Sequence, residues 1–181
     1  IRKPRKIYDV PRKRWDKTRI EEEKKVKETY GLKNKKELRV FQTFVRKKRQ
    51  NAKSILVLPL EQRVKKEKEL VASLSKYGVL PDNASVDDVL SLQTQELLEK
   101  RLQTIVWRKN LAKTAKQARQ FIVHGHIAIG EQKITAPSHM VLLENMDKIG
   151  YFGGKKMQLE PPKPESKQEM KKRFEAAALE Q

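Results

Sequence analysis

The sequence predicts an α+β protein: a basic N-terminal arm and helical region, then a small module of two helices packed on a short antiparallel sheet. Three observations carry this. Apolar residues recur at helical spacing from about Thr18 to Gly125, after which the period drops to two. Gly31, Gly78 and Gly125 fall where helical patterns end. Both ends of the chain are rich in Lys, Arg and Pro. The chain divides into an arm at 1–17, a helical domain at 18–93, the helix-helix-sheet module at 94–152 and a flexible basic, Pro-rich tail at 153–181.

The arm holds Pro4, Pro11 and few apolar residues, so it is extended and has no core of its own. Its Tyr8 and Trp15 stack either on bases or on the body of the protein. Thr18-Arg-Ile-Glu21 fits a capping box for a helix running to about Tyr30. From Lys35 to Lys53, Leu38, Phe41 and Val45 form one apolar stripe with Phe44 beside it. The helix at 61–77 places Leu60, Val64, Val71 and Leu74 on its core side. Ser85-Val-Asp-Asp88 caps a short helix to about Leu92. Thr94 opens the most strongly patterned helix, with Leu98, Leu102, Ile105 and Val106 on one side and Asn110 as its left-handed end. A second capping box, Thr114-Ala-Lys-Gln117, starts a short helix that buries Ala115, Ala118 and Ile122. Three short strands follow at His126–Ile129, Lys133–Thr135 and Met140–Leu143, with turns at Gly130–Gln132 and Pro137–Ser138.

Charge narrows the function. The 181 residues carry 42 Lys plus Arg against 23 Asp plus Glu, a formal net charge of +19. The excess lies in two blocks: residues 1–53 hold 21 basic and 7 acidic residues, and residues 100–136 hold 8 and 1. Residues 54–99 are slightly acidic, with 5 and 8. Two basic blocks on a near-neutral spacer are the electrostatic footprint of a nucleic-acid binder. In the first block, Arg39, Arg46, Lys47, Arg49 and Lys53 sit off the apolar stripe, placed for phosphates whose neutralisation releases counterions. Arg12 and Arg14 of the arm join them.

In the second block, Thr114 sets a helix N-terminus beside Lys113 and Lys116, an arrangement suited to a phosphate. Arg119 lies one turn on, Arg101 and Arg108 come from the neighbouring helix, and Lys133 from the sheet. RNA is read by shape and backbone, and this set fits it. DNA is the rival partner, with 115–124 as a short recognition helix.

Catalysis finds no support. The chain has no cysteine, which excludes thiolate metal sites and Cys nucleophiles. His124-Gly-His126 has only His139 and Glu131 within reach in sequence, so no metal and no cofactor is expected. Gly153-Gly-Lys-Lys156 lacks the spacing of a phosphate loop. The longest apolar run, Ile55–Leu60, is far below the ~18 residues of a membrane span. No membrane association and no homo-oligomer are expected.

Several segments carry a family resemblance. The run from Leu98 to Ile127, with Arg101-Leu-Gln-Thr104, Gln117-Ala-Arg119 and His124-Gly-His-Ile127, resembles the RNA-binding module of ribosomal small-subunit protein four. Tyr30-Gly-Leu-Lys-Asn-Lys-Lys-Glu-Leu38, Pro11–Lys17 and Asp88–Leu92 resemble the archaeal and eukaryotic branch of that family. The resemblance implies a non-enzymatic component of the small ribosomal subunit, in the cytoplasm. It implies binding to the 5′ domain of small-subunit rRNA at a multi-helix junction, nucleation of subunit-body assembly, and a position near the mRNA entry path and the decoding-accuracy region. Its protein partners would be ribosomal small-subunit protein five and other small-subunit proteins. On this resemblance Arg101, Arg108, Lys113, Thr114, Gln117, Arg119, His124, His126, Lys133 and Ser138 match module positions on or near the RNA face. The alternatives are a free-standing RNA chaperone and an RNA-modifying factor that uses the module for targeting.

Overall fold

The computed structural model describes residues 7–154, so the start of the arm and the expected tail beyond Gly154 lie outside the described residues. The elements run in the order α1 (Lys17–Thr29), α2 (Lys35–Leu56), α3 (Leu60–Ser75), α4 (Val86–Ser91), α5 (Thr94–Glu99), α6 (Leu102–Arg108) and α7 (Ala115–Val123). The strands β1 (Ile127–Ile129), β2 (Gln132–Lys133) and β3 (Ile149–Tyr151) follow. The sheet is antiparallel in the order β2-β1-β3, with Ala128 opposite both Lys133 and Gly150.

Leu38, Phe41 and Val45 of α2 pack with Tyr30, Leu74, Val89 and Leu98 in one core. Leu102, Val106, Ala118, Ile122, Ile127, Val141 and Ile149 form a second, under the sheet. Ser85 and Asp88 make the expected reciprocal box at α4. Gly31, Gly78, Gly125 and Asn110 all adopt positive φ where helices stop.

Five expectations need correction. At α1, Lys17 opens the helix and Asp16 holds the N-cap, with no side-chain cap bond. The Thr18 hydroxyl instead donates to Asp16 Oδ1 at 2.8 Å. In α3, Leu60 (76 % exposed) and Val64 face solvent, and Leu70 joins Val71 and Leu74 inside. The buried α3 stripe therefore begins at Leu70, nearly three turns after Leu60 at ~3.6 residues per turn.

The long helix from Thr94 is two helices. Arg101 is extended (φ −74°, ψ 143°) between them. The backbone groups freed there are satisfied by the 139–141 segment: Leu102 N donates to His139 O at 2.8 Å and Val141 N to Lys100 O at 3.1 Å. Met140 thus pairs with Arg101 instead of joining the sheet. The third strand is Ile149–Tyr151, and Leu143–Asn145 forms a 3-10 turn. Finally, the second strand begins at Gln132, because Gly130 (φ 61°) and Glu131 alone make the hairpin turn.

The described part of the arm is not independent of the body. Asp9 accepts from Arg46 and its N–H donates to Thr43 Oγ1 at 3.0 Å. Lys36 Nζ lies 5.8 Å from the Tyr8 ring centroid. Residues 8 and 9 therefore lie along α2.

Candidate nucleic-acid interface

At the N-terminus of α7, Thr114 Oγ1 accepts from Gln117 N at 3.1 Å, and Gln117 Oε1 accepts from Lys113 N at 2.9 Å. The Gln side chain thus reaches one residue further back than a capping box requires. Lys113, Thr114 and Lys116 are exposed. Helical geometry leaves first-turn N–H groups without intrahelical acceptors, beside the positive end of the dipole. This end of α7 offers first-turn N–H groups and the exposed Lys116 to an anion.

The far end of α7 gathers a second group. His124 caps the helix, and its ring stacks on that of His126 at 6.3 Å between centroids, with planes 19° apart. The Phe121 ring meets His126 edge-on. Gly125 has φ 75°, and a Cβ there would sit 1.9 Å from Lys133 Cε. The Lys133 stem therefore runs directly over Gly125, and its Nζ lies 5.9 Å from the centroid of Phe152. His124 and Lys133 are exposed and His126 half-buried. About 13 Å of helix, at ~1.5 Å per residue, joins the two ends. No hydrogen bond among the described residues ties Ser138 to this set; it is exposed in the turn preceding the 139–141 segment.

The α2 and arm residues divide by surroundings. Lys47, Lys53, Arg12 and Arg14 are exposed. Arg46 is exposed but paired with Asp9. Arg49 is half-buried and donates to Leu92 O, and Arg39 is half-buried. Lys48 turns inward to Ser73 Oγ at 2.8 Å, where burial pushes its ammonium pKa down.

Arg101 and Arg119 depart most from the sequence expectation. Arg101 is 1 % exposed. Its Nη2 donates to Glu37 Oε2 at 3.1 Å, and its guanidinium carbon lies 5.3 Å from the Phe41 ring centroid. Arg119 clasps the same carboxylate, with Nη2 to Oε1 at 2.8 Å and Nη1 to Oε2 at 3.2 Å. Burial alone would raise the Glu37 pKa, but the two guanidinium groups together hold it below the usual carboxylate value. Arg101 is too buried to present charge to a phosphate, while the partly exposed Arg119 shares the single Glu37 carboxylate with it, so the three side chains together keep one positive charge. The break before α6 aims Arg101 inward.

Gln103 is a residue to which the sequence reading assigned no role. It is buried, and its Nε2 donates to Ala115 O (2.9 Å), Gly31 O (3.0 Å) and Tyr30 O (3.3 Å). The α1–α2 turn, α6 and the start of α7 thus meet on one amide. Gln103→Leu is expected to lower stability by about 1–3 kcal/mol by stranding these carbonyls, read as a lower urea midpoint at unchanged slope. A second clasp, Arg108 on Glu99, keeps the exposed Arg108 at the edge of the site. The Glu99 carboxylate is held below its usual pKa by the Arg108 hydrogen bonds, against a smaller upward push from burial. Tyr30, buried and donating to Glu99 at 3.0 Å, is pushed up to about 12 and stays a neutral donor.

Among the described residues no group of three or more His, Asp or Glu could hold a metal ion, and no helix is long and apolar enough to cross a membrane. What the geometry assembles is a cationic surface on a helix pair backed by a small sheet, the build of an RNA-binding domain. Residues 100–147 match the S4 domain, so the class is that of the S4-domain RNA-binding proteins.

The likeness extends well beyond that domain. The chain is 48 % identical to the small ribosomal subunit protein uS4 of Hyperthermus butylicus over 150 residues, 83 % of this chain and 85 % of that protein. It is 44 % identical to the uS4 of Saccharolobus islandicus over 162 residues, 89 % and 90 % of the two chains. It is 45 % identical to that of Ignicoccus hospitalis over 150 residues, 83 % and 90 %. The chain belongs to the uS4 family of small ribosomal subunit proteins.

Proposed function

We propose that the chain is a structural, non-enzymatic constituent of the small ribosomal subunit in the cytoplasm. It binds small-subunit rRNA among other subunit proteins. In finer detail, it binds the 5′ domain of that rRNA at a multi-helix junction and helps to nucleate assembly of the subunit body. It works beside small-subunit protein five near the mRNA entry path, as a single copy and away from membranes. Family membership over most of the chain supports the ribosomal role, and the exposed cations at both ends of α7 and along α2 supply a surface for RNA.

The rRNA-facing set is Lys47 and Lys53 on α2, Arg12 and Arg14 of the arm, and Arg108, Lys113, Thr114, Lys116, Gln117, His124, His126, Lys133 and Ser138 of the module. Arg39, Arg46 and Arg49 flank it. Arg101 and Arg119 serve it indirectly, by locking α2 to the module through Glu37.

A binding titration at two salt concentrations tests this. It compares a 5′-domain rRNA fragment with an unrelated structured RNA of equal length. A preference well above tenfold at the higher salt is expected, and equal affinities that collapse together would defeat the proposal. Lys116→Ala and Lys47→Ala should each reduce the slope of log K against log salt by roughly one, as lost phosphate contacts do. Arg101→Ala should change stability and leave the slope of the folded fraction alone.

A further inference from the structure

Trp15 is 92 % exposed. A Trp buries 150–250 Å² when it packs, one of the larger apolar gains available to a side chain. Tyr8, the other aromatic of the arm, lies on the body of the protein beside Lys36. Trp15 does not, although the turn that carries it is firmly held. Arg19 Nη2 donates to the carbonyls of Lys13 (2.8 Å) and Arg14 (3.0 Å). Arg19 Nη1 is fixed on Glu23 Oε1 at 2.6 Å. Glu23 is itself buried and also meets Lys35 Nζ at 3.2 Å. The backbone before Trp15 is thus clamped to α1 by a charged pair, and the indole is left outside.

The surroundings decide what the indole is for. Arg12, Lys13, Arg14 and Lys17 are all exposed within three residues of it, against Asp16, which accepts from Thr18. An apolar protein surface docking on Trp15 would have to desolvate these cations. An RNA strand neutralises them with phosphates and offers a flat ring at the same time. Unpaired bases in loops and bulges stack on aromatic side chains in this way, and a clamped turn loses little entropy on engagement.

We propose that Trp15 is a stacking platform for an unpaired base of the RNA this chain binds, flanked by phosphate contacts from Arg12, Arg14 and Lys17. The inference rests on the rRNA-binding reading above and adds a base-contacting residue outside the S4 domain.

The test uses the full chain with Trp107→Phe, which leaves Trp15 as the single Trp. Titration with the 5′-domain fragment is expected to quench Trp15 emission. Adding Trp15→Ala should weaken binding about 5- to 150-fold, the range for loss of one base–aromatic stack. Trp15→Phe should retain most of the affinity, and none of these changes should alter the salt slope. Absence of quenching overturns the proposal. So does Trp15→Ala binding as the parent does while the parent still prefers the fragment to unrelated RNA. If Trp15→Ala binds RNA normally but fails to enter subunits reassembled with the other proteins, Trp15 faces protein and the proposal is wrong. A parent that binds both RNAs equally overturns the rRNA reading itself, a result distinct from these.

Discussion

Glu37→Ala is expected to lower stability by about 3–5 kcal/mol, the loss typical of leaving a buried charge without its partner. Arg101 is the group stranded: it is 1 % exposed, and Glu37 is its carboxylate partner. Two of its nitrogens, Nε and Nη1, already lack hydrogen-bond acceptors, so the remaining bond to Glu37 carries the compensation alone. Arg119 suffers less because it is partly exposed and can turn to water. Glu37→Gln keeps a hydrogen-bond acceptor and should fall between Ala and the parent. The double variant Glu37→Leu, Arg101→Met should recover much of the loss, since apolar replacement of a whole buried pair is often neutral. Urea unfolding of the parent and these three variants reads the differences. A Glu37→Ala loss below ~1 kcal/mol would mean that Arg101 escapes to solvent.

The same carboxylate fixes the sign of a pH effect. Its pKa is lowered on folding from the ordinary 4.5. Its contribution is therefore present above pH 4.5 and is lost as pH falls from there through the folded value. Acid unfolding of Glu37→Gln should lack this component, and a parallel acid limb in the two proteins would refute it.

Gly31→Ala is expected to cost about 2–4 kcal/mol, combining left-handed backbone strain with overpacking. Gly31 has φ 59°, and a Cβ there would lie 2.8 Å from the Cβ of Ala115 and 3.1 Å from its carbonyl carbon. Neither neighbour can move cheaply: Ala115 is the first residue of α7, and Gly31 O accepts from Gln103. At ~2–4 °C per kcal/mol for a chain of this size, the melting midpoint should drop by roughly 4–16 °C. Gly130→Ala is the control, since it shares the positive φ but meets no atom within 4 Å. Equal shifts in both would show that packing against α7 contributes nothing.

Most of the helices were legible because each depends on near neighbours. A stripe such as Leu38, Phe41 and Val45, a cap such as Ser85 with Asp88, and a stop such as Gly31 are written within a few residues. The apolar run at 140–143 misled because it satisfies α6 and not the sheet. Ile149–Tyr151 carries too little periodicity to announce itself as the replacement. Of the candidate site, the exposed cations of α2 and α7 followed from composition and spacing. The inward turn of Arg101 did not, since Glu37 is 64 residues away and a lone acid in a basic helix looks like surface.

By itself, then, the sequence determined an all-purpose positive field in two blocks, the helix-then-sheet order and the absence of cysteine chemistry. Charge, periodicity and composition are local or additive quantities and survive reading in one dimension. Only the tertiary structure decided which cations face solvent and which are consumed in holding α2 to the module. It also decided that Gln103 joins three chain segments and that Trp15 is left in the open while Tyr8 is not. Those outcomes depend on desolvation and on partners distant in sequence, as the Glu37 carboxylate that meets the buried Arg101 shows.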